Sequence, residues 1–310
     1  MLSSILDSWL ARRSARTATQ PATAGLPTRF VDTALGRLRV FDSGGNGPCI
    51  VFAPDGPNVI EHYRELTKAL SHRFRVVCFD MPGFGHSLPG NAYDHSLDQG
   101  ANAILAVLDQ LDIRSATLAF SCANGFYALR AARLAPTRIT SLFLSQTPSL
   151  AAMHAWVKRV IPWPLKVPVI GQLSIWIFRR KFVDAWYRIT FPEPARRGPF
   201  LQLAHHSLSS GGCFCLAGVV QGLSSAQALS LEGLEIPCVM IWGEKDRSHR
   251  FTQADSLLDL VPHARVLRFE DAGHFPELEQ SERYLALLLG HMESLSGRPC
   301  TEAPPSQSVV

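Results

Sequence analysis

Short apolar runs alternate with segments of helical period over most of the chain. Seven of these runs are rich in β-branched and aromatic residues and predict strands. They are Leu38 to Phe41, Ile50 to Ala53, Val76 to Phe79, Ala116 to Ala119, Ser141 to Leu144, Val239 to Trp242 and Val266 to Phe269. The helical segments are His62 to Leu70, Gln99 to Leu111, Phe126 to Leu134, Ala254 to Leu260 and Glu279 to Leu289. Strands that alternate with helices predict a mainly parallel sheet with helices on both faces.

This alternation breaks between Gln146 and Pro237. The interval holds four of the six tryptophans, and residues 151–225 carry nine Lys or Arg against two acids in a chain of net charge +4. An interval of this size between two strands predicts a subdomain inserted into one core. The predicted units are an extension over 1–27, a core over 28–145 and 238–293, an inserted lid over 146–237, and a tail over 294–310.

The two chain ends differ from the core in composition. The N-terminal stretch has apolar residues at helical spacing followed by arginines, namely Leu2, Ile5, Leu6, Trp9, Leu10, Arg12, Arg13 and Arg16. It is too short and too charged for a transmembrane span and lacks the long apolar core of a secretory signal. A disordered tail or packing helix, an interfacial helix and an organelle-type presequence all stay open. The C-terminal tail is rich in Pro and Ser, which predicts disorder.

The overall composition is that of an ordinary globular protein, with 46% apolar and 18% charged residues. Seven cysteines without a framework spacing indicate reduced thiols, so we expect a cytoplasmic protein, with membrane association as an alternative. Cys213 and Cys215 have no second ligand pair at metal-like spacing. We therefore expect no metal or other cofactor, and no nucleic-acid partner.

The stretch around Cys122 is the first candidate for chemistry. An apolar run ends at Ala119 and a helical segment starts at Phe126, which predicts a strand, a sharp turn and a helix. Such a turn lifts one side chain above the sheet edge near a helix N-terminus, where an anion is favoured. A thiol needs a base to become a nucleophile, and the base needs a carboxylate to orient it. His274 and Asp246 follow the last two strands and meet these needs.

These motifs resemble those of the α/β-hydrolase family, in the branch of epoxide hydrolases, haloalkane dehalogenases and carbon–carbon bond hydrolases. The similar segments are Asp80-Met81-Pro82-Gly83-Phe84-Gly85-His86-Ser87, the turn at Cys122, Trp242-Gly243-Glu244-Lys245-Asp246 and Gly273-His274-Phe275-Pro276. The family order of nucleophile, acid and histidine is Cys122, Asp246 and His274 here. The resemblance implies a mostly parallel sheet of about eight strands, flanked by helices and with an inserted helical lid.

Two segments depart from the family pattern. Phe120 and Asn124 stand where the family keeps small residues, two before and two after the nucleophile. A shift by one residue would put Ala123 at the turn and imply an inactive protein, but the distance to Pro136 favours Cys122. The oxyanion hole would use the backbone N–H of Ala123 and of Gly56. An alternative alignment would put Pro57, which has no N–H, at the second donor position, and Asp55 is unfavourable near an oxyanion.

A cysteine nucleophile forms a thioester intermediate, which water, an alcohol, an amine or a thiol can capture. The sequence therefore predicts a hydrolase acting on an ester or thioester. An acyltransferase with the same three residues and a catalytically silent binding protein are the alternatives. The predicted substrate contacts are Trp156, Trp163, Trp176 and Phe120. The basic insertion predicts an acyl substrate carried on coenzyme A or an acyl carrier protein, or peripheral membrane contact through the N-terminal helix or the basic lid.

Overall fold

The computed structural model describes residues 1–18, 25–227 and 231–297. The part of the predicted C-terminal tail beyond residue 297 lies outside these ranges. The strands are β1 (Thr28–Thr33), β2 (Gly36–Asp42), β3 (Cys49–Ala53), β4 (Arg75–Phe79), β5 (Phe84–Gly85), β6 (Leu88–Pro89), β7 (Ala116–Phe120), β8 (Ile139–Ser145), β9 (Cys213–Phe214), β10 (Cys238–Gly243) and β11 (Arg265–Phe269).

Helices cover both faces of the sheet and fill the predicted insertion. They are α1 (Leu2–Arg16), α2 (Arg64–Leu70), α3 (Leu97–Gln110), α4 (Cys122–Leu134), α5 (Leu150–Val160), α6 (Trp163–Lys166), α7 (Ile170–Thr190), α8 (Pro194–Ser209), α9 (Leu216–Ser224), α10 (Pro276–Glu279) and α11 (Ser281–Leu295). Short 3₁₀ helices run over Ile60–Tyr63 and Ala254–Asp259. Within the described residues, no helix combines the length and hydrophobicity that a membrane crossing requires.

One sheet of nine strands forms the centre of the molecule. Its order is β1-β2-β4-β3-β7-β8-β10-β11, with β6 paired to β2. β1 and β2 are antiparallel, β2 is antiparallel to β4, and every neighbouring pair from β4 to β11 is parallel. This confirms the predicted fold and the mostly parallel sheet.

The central strands are apolar along their whole length because helices cover both of their faces. All five residues of β3 and of β7 are buried. All seven predicted strands are present. β1 escaped prediction because it is an edge strand in which only Val31 is buried, so it lacks a continuous apolar run.

Five helices, α5 to α9, lie between β8 and β10. This helical insertion is joined to the core by a second small sheet. β9 pairs with β5 in antiparallel fashion, with Phe84 opposite Phe214 and Gly85 opposite Cys213. The two phenylalanine rings meet edge to face at 5.8 Å. The chain that follows β4 in the core and the chain that precedes α9 therefore share backbone hydrogen bonds.

Candidate active site

Cys122 occupies the sharp turn between β7 and α4. Its φ is +49°, in the left-handed region that costs a non-glycine residue about 1 to 2 kcal/mol. Gly125 allows the turn to pack, because a Cβ there would lie 2.1 Å from Thr147 Oγ1. Because the strained residue is Cys122, the structure favours the alignment that puts Cys122, and not Ala123, at the turn.

The two residues that depart from the family pattern have defined contacts. Phe120 is buried in the core, where its ring meets that of Phe79 edge to face at 6.1 Å. It does not line the cavity beside Cys122, so the predicted substrate contact of Phe120 must be corrected. The Asn124 amide donates to the carbonyl of Pro54 at 3.0 Å and lies 3.4 Å from that of Ala53. Asn124 therefore ties the turn to the loop that carries Gly56.

Asp246 and His274 come together at the same sheet edge. Nδ1 of His274 lies 2.6 Å from Oδ2 of Asp246. Ser248 donates to Oδ1 of Asp246 through its amide at 2.8 Å and its hydroxyl at 2.6 Å. Burial opposes the Asp246 anion, but His274 outweighs it and holds the pKa of Asp246 well below its usual range. The carboxylate therefore stays ionised and fixes the imidazole.

Gln146 follows β8 and completes the environment of this carboxylate. Its amide donates to Oδ2 of Asp246 at 2.8 Å, and its carbonyl accepts from the backbone N–H of Gly243 at 2.8 Å. Gln146 has a φ of +46°, so the chain is held in an unfavourable conformation at this point as well. The sequence motifs did not indicate this residue, whereas its two hydrogen bonds give it a positioning role for Asp246.

The loop that carries His274 is fixed by its own backbone contacts. Both carboxylate oxygens of Glu279 accept from the N–H of Gly273 at 3.0 Å, and Oε1 also accepts from Phe275 at 3.1 Å. The N–H of His274 donates to the carbonyl of Thr190 at 3.0 Å. Burial opposes the imidazolium, but the charge of Asp246 outweighs it and raises the pKa of His274 well above its ordinary value.

Asp55 faces both the thiol and the free imidazole nitrogen. One oxygen of Asp55, Nε2 of His274 and Sγ of Cys122 all lie within 4.8 Å of one another, and Oδ2 of Asp55 is 3.5 Å from Nε2. Burial first, and the Asp55 charge second, raise the pKa of Cys122 to about 11. Burial also raises the pKa of Asp55. A proton transfer from Cys122 to His274 is therefore sensitive to the ionisation of Asp55.

A small apolar cavity opens beside the thiol. Its volume is about 60 Å³, less than half of the ~150 Å³ cavity that holds benzene in a protein core. The polar end is formed by Asp55, Gly56, Cys122, Ala123 and Asn124. The apolar walls are Phe84, Met153, Trp156, Val157, Ile161, Trp186, Phe214, Leu216, Val219 and Leu223. A substrate larger than a short acyl group requires the inserted helices to move apart.

Both predicted oxyanion donors lie at this polar end. Ala123 directly follows Cys122 in the chain, and both residues line the cavity with Gly56. Gly56 lies against two aromatic rings, since a Cβ would come within 2.4 Å of Phe84 and 3.3 Å of Phe214. Only glycine fits at this position without displacing those rings.

The tryptophans of the insertion have different locations. Trp156 lines the cavity and donates its indole N–H to the carbonyl of Ser248 at 2.9 Å. Trp163 is 68% exposed, and Trp176 packs next to α1, so neither contacts the cavity and both predictions must be corrected. Trp186 was missed, although it lines the cavity and meets His274 at 5.1 Å. Trp186 lies three residues after Val183 and four before Thr190, which are both buried, so helical periodicity would have indicated that its side chain faces the core.

Three residues of the kinds that bind metal ions lie together away from the cavity. Asp7, His95 and Cys215 are buried, with ligand atoms within 4.8 Å of one another. The other cysteine of the pair, Cys213, donates its thiol hydrogen to the carbonyls of Gly85 and Ser87. Cys213 and Cys215 nevertheless line one small cavity with Asp7.

A thiol on a strand-to-helix turn, with a carboxylate and a histidine on the loops after two later strands, is the arrangement of α/β enzymes that use a nucleophile, an acid and a histidine in that chain order. The chain belongs to the Alpha/beta hydrolase family, which matches residues 50–287. It is therefore a hydrolase-type or acyltransferase-like member of this fold.

Named relatives include enzymes of several reaction types. The chain is 25% identical over 257 residues to 2-hydroxymuconate semialdehyde hydrolase of Pseudomonas sp. (strain CF600), covering 81% of this chain and 89% of the relative. It is 36% identical over 259 residues to the dihydrolipoyllysine-residue acetyltransferase component of an acetoin cleaving system of Pseudomonas putida, covering 79% of this chain and 64% of that protein. Epoxide hydrolase A of Mycobacterium thermoresistibile has the same fold, with a TM-score of 0.72 at 16% identity over 86% of this chain and 98% of that one.

Proposed function

We propose that this protein hydrolyses an ester or a thioester through an acyl-enzyme formed on Cys122. The observation that carries the proposal is the pairing of His274 Nδ1 with Asp246 at 2.6 Å, while Nε2 faces the thiol at the end of an apolar cavity. A histidine held in this way is a general base for a nucleophile.

The reaction would proceed in two steps. In the neutral form of His274, Nε2 takes the proton of Cys122 as sulfur attacks the carbonyl carbon, and the amides of Gly56 and Ala123 stabilise the oxyanion. Collapse of the tetrahedral intermediate expels the alcohol or thiol, which receives the proton from Nε2. Water then attacks the thioester on Cys122 and gives a proton to Nε2 of His274; the C–S bond breaks, the Cys122 sulfur takes that proton, and the carboxylic acid leaves.

Asp55 determines when the first proton transfer is favourable. As an anion it opposes the formation of a thiolate beside it and competes for Nε2. As a neutral acid, which its burial favours, it no longer opposes the thiolate and has a hydrogen to donate into the site. A buried carboxyl group that stays neutral and donates a hydrogen bond to an oxyanion is an established catalytic device. We propose that Asp55 is neutral in the reacting state.

Acyl transfer is a second candidate, because the thioester on Cys122 is equally open to an alcohol, amine or thiol. The relative named as an acetyltransferase component, at 36% identity, favours it. An acyl donor carried on coenzyme A or an acyl carrier protein belongs to this candidate. A silent binding protein is the third candidate, and the raised pKa of Cys122, at about 11, favours it.

Trapping of the acyl-enzyme tests these proposals. Incubation with short p-nitrophenyl esters should add one acyl group to the peptide that contains Cys122, and this mass should be lost in Cys122→Ala. Acylation should slow in His274→Ala by at least ~100-fold. Cys238→Ala, at a buried cysteine outside the cavity, is the matched control. Acylation that does not depend on His274 would contradict the triad, and no acylation or turnover would establish the silent fold. Faster product release with added alcohol, amine or thiol would favour transfer.

A further inference from the structure

α1 packs against the protein with its polar side. Ser4, Asp7 and Ser8 are buried together with Leu10 and Ala11, whereas Leu2, Ile5 and Trp9 are 75%, 44% and 54% exposed. A surface helix normally turns its apolar stripe to the core. In this helix much of the apolar side chain area is left facing outward.

Specific contacts fix this orientation of α1. The Ser8 hydroxyl lies 2.9 Å from the carbonyl of Pro89, and the carboxylate of Asp7 accepts from the Gln172 amide at 3.3 Å. The Arg13 guanidinium lies 5.8 Å from the ring of Trp176. The exposed apolar row is therefore a property of the packed helix.

α7 runs beside α1 and presents a similar row. Ile170, Leu173, Ile177 and Phe178 are all exposed, three of them at the spacing of one helix face. Asp7 meets Gln172 and Arg13 meets Trp176, so both helices run in the same direction. Their apolar halves therefore lie side by side. We call the exposed residues Leu2, Ile5, Trp9, Ile170, Leu173, Ile177 and Phe178 the docking face.

The same parallel arrangement brings basic residues together at one end of the docking face. The cations there are Arg13, Arg16, Arg179, Arg180 and Lys181, whereas Arg12 donates to Asn91 on the packed side of α1. The acids of the two helices are engaged elsewhere, since Asp7 is buried and Asp184 pairs with His205 at 2.7 Å. An apolar face bordered by cations matches the headgroup and acyl region of an anionic bilayer.

We propose that the docking face binds the surface of an anionic lipid bilayer. A second copy of this chain is a poorer occupant, because pairing two docking faces would place cations against cations or against apolar side chains. The docking face also lies near the proposed site of catalysis. α6 packs on both α7 and α9, and the exposed Trp163 follows two residues after Ile161, which lines the cavity. Binding at the docking face does not depend on any particular reaction at Cys122.

Co-sedimentation of the full chain with vesicles tests the proposal. Binding should be strong on vesicles with about 30% phosphatidylserine and weak on pure phosphatidylcholine, and it should fall with salt. Arg180→Glu with Lys181→Glu should weaken binding at least ~25-fold, since each cation near the surface contributes about fivefold. Ile5→Glu and Ile177→Glu should each weaken it about tenfold or more.

Two controls keep the result interpretable. Leu134→Glu, at an exposed leucine of α4, should bind like the wild type. Circular dichroism and thiol labelling of Cys122 should be unchanged in all of these variants, because none of the substituted residues touches the cavity. Equal binding to both vesicle types, or none to either, would overturn the proposal. A dimer that Ile5→Glu dissociates, without vesicle binding, would overturn it in favour of a self-interface.

Discussion

Replacement of Asp55 by Asn tests whether this carboxylate controls the thiol. The Asp55 oxygen and the Cys122 sulfur are within 4.8 Å. Two unit charges at this separation and an effective dielectric constant of about 20 repel each other by about 3.5 kcal/mol, or about 2.5 pKa units. Burial is the larger cause of the rise in the pKa of Cys122 from 9.0 to about 11. We therefore expect Asp55→Asn to lower this pKa by about one unit.

Alkylation by iodoacetamide, followed by mass spectrometry of the Cys122 peptide across a pH series, measures this change. The midpoint of the rate profile should fall by about one unit in Asp55→Asn. Below the midpoint the thiolate fraction rises about tenfold, but a less basic thiolate is also less nucleophilic. With a Brønsted coefficient of about 0.45, the net gain in rate is about three- to fourfold.

The matched control is Glu277→Gln, which removes a different buried carboxylate. Glu277 accepts from the Tyr63 hydroxyl at 2.8 Å and interacts with the charge of His274, but it has no oxygen in the group formed by Asp55, Cys122 and His274. The midpoint should stay within about 0.3 units of the wild type in this variant. An unchanged midpoint in Asp55→Asn, or a wild-type midpoint already below about pH 8, would refute the reasoning about Asp55.

Gln146→Ala should lower the rate of Cys122 acylation about tenfold with little change in substrate affinity, because Asp246 loses one of its donors; single-turnover kinetics measures both, and a change in affinity alone would contradict the role. Asp7→Asn should reduce the loss of stability that the wild type shows between about pH 4 and 7, because burial raises the pKa of Asp7 from 3.8 to about 7 and the folded state resists losing this buried proton; burial also raises the pKa of Asp80 and of Glu279 to about 7, so urea unfolding at both pH values should show a loss that is about 2 to 4 kcal/mol smaller in the variant than in the wild type. Gly125→Ala should lower the free energy of unfolding by about 2 kcal/mol or more through contact with Thr147, and Thr147→Ala should partly restore it, as measured by thermal unfolding.

Local patterns predicted the features that depend on neighbouring residues in the chain. The apolar run before Phe120 predicts a strand, and the segment after it predicts a helix. The change of period over a few residues therefore located the turn at Cys122. The meeting of Asp55 with His274 could not be predicted in this way, since it depends on how the loop after β3 packs against the loop after β11. The orientation of α1 could not be predicted either. The sequence pattern favours burial of Leu2 and Trp9, but tertiary contacts bury the polar side of the helix instead.

The pairing of β5 with β9 also determines where the cavity can open. Phe84 and Phe214 face each other across that pairing, and both line the cavity. This wall is held by backbone hydrogen bonds and resists displacement, whereas the opposite walls on α5 and α7 contact the core through side chains such as Trp156 and Trp186. Enlargement of the cavity should therefore break the side-chain contacts of Trp156 and Trp186 before it separates β5 from β9. Groups added to an inhibitor should be accommodated by displacement of the Trp156 and Trp186 side chains, and groups that extend toward Phe84 should be rejected.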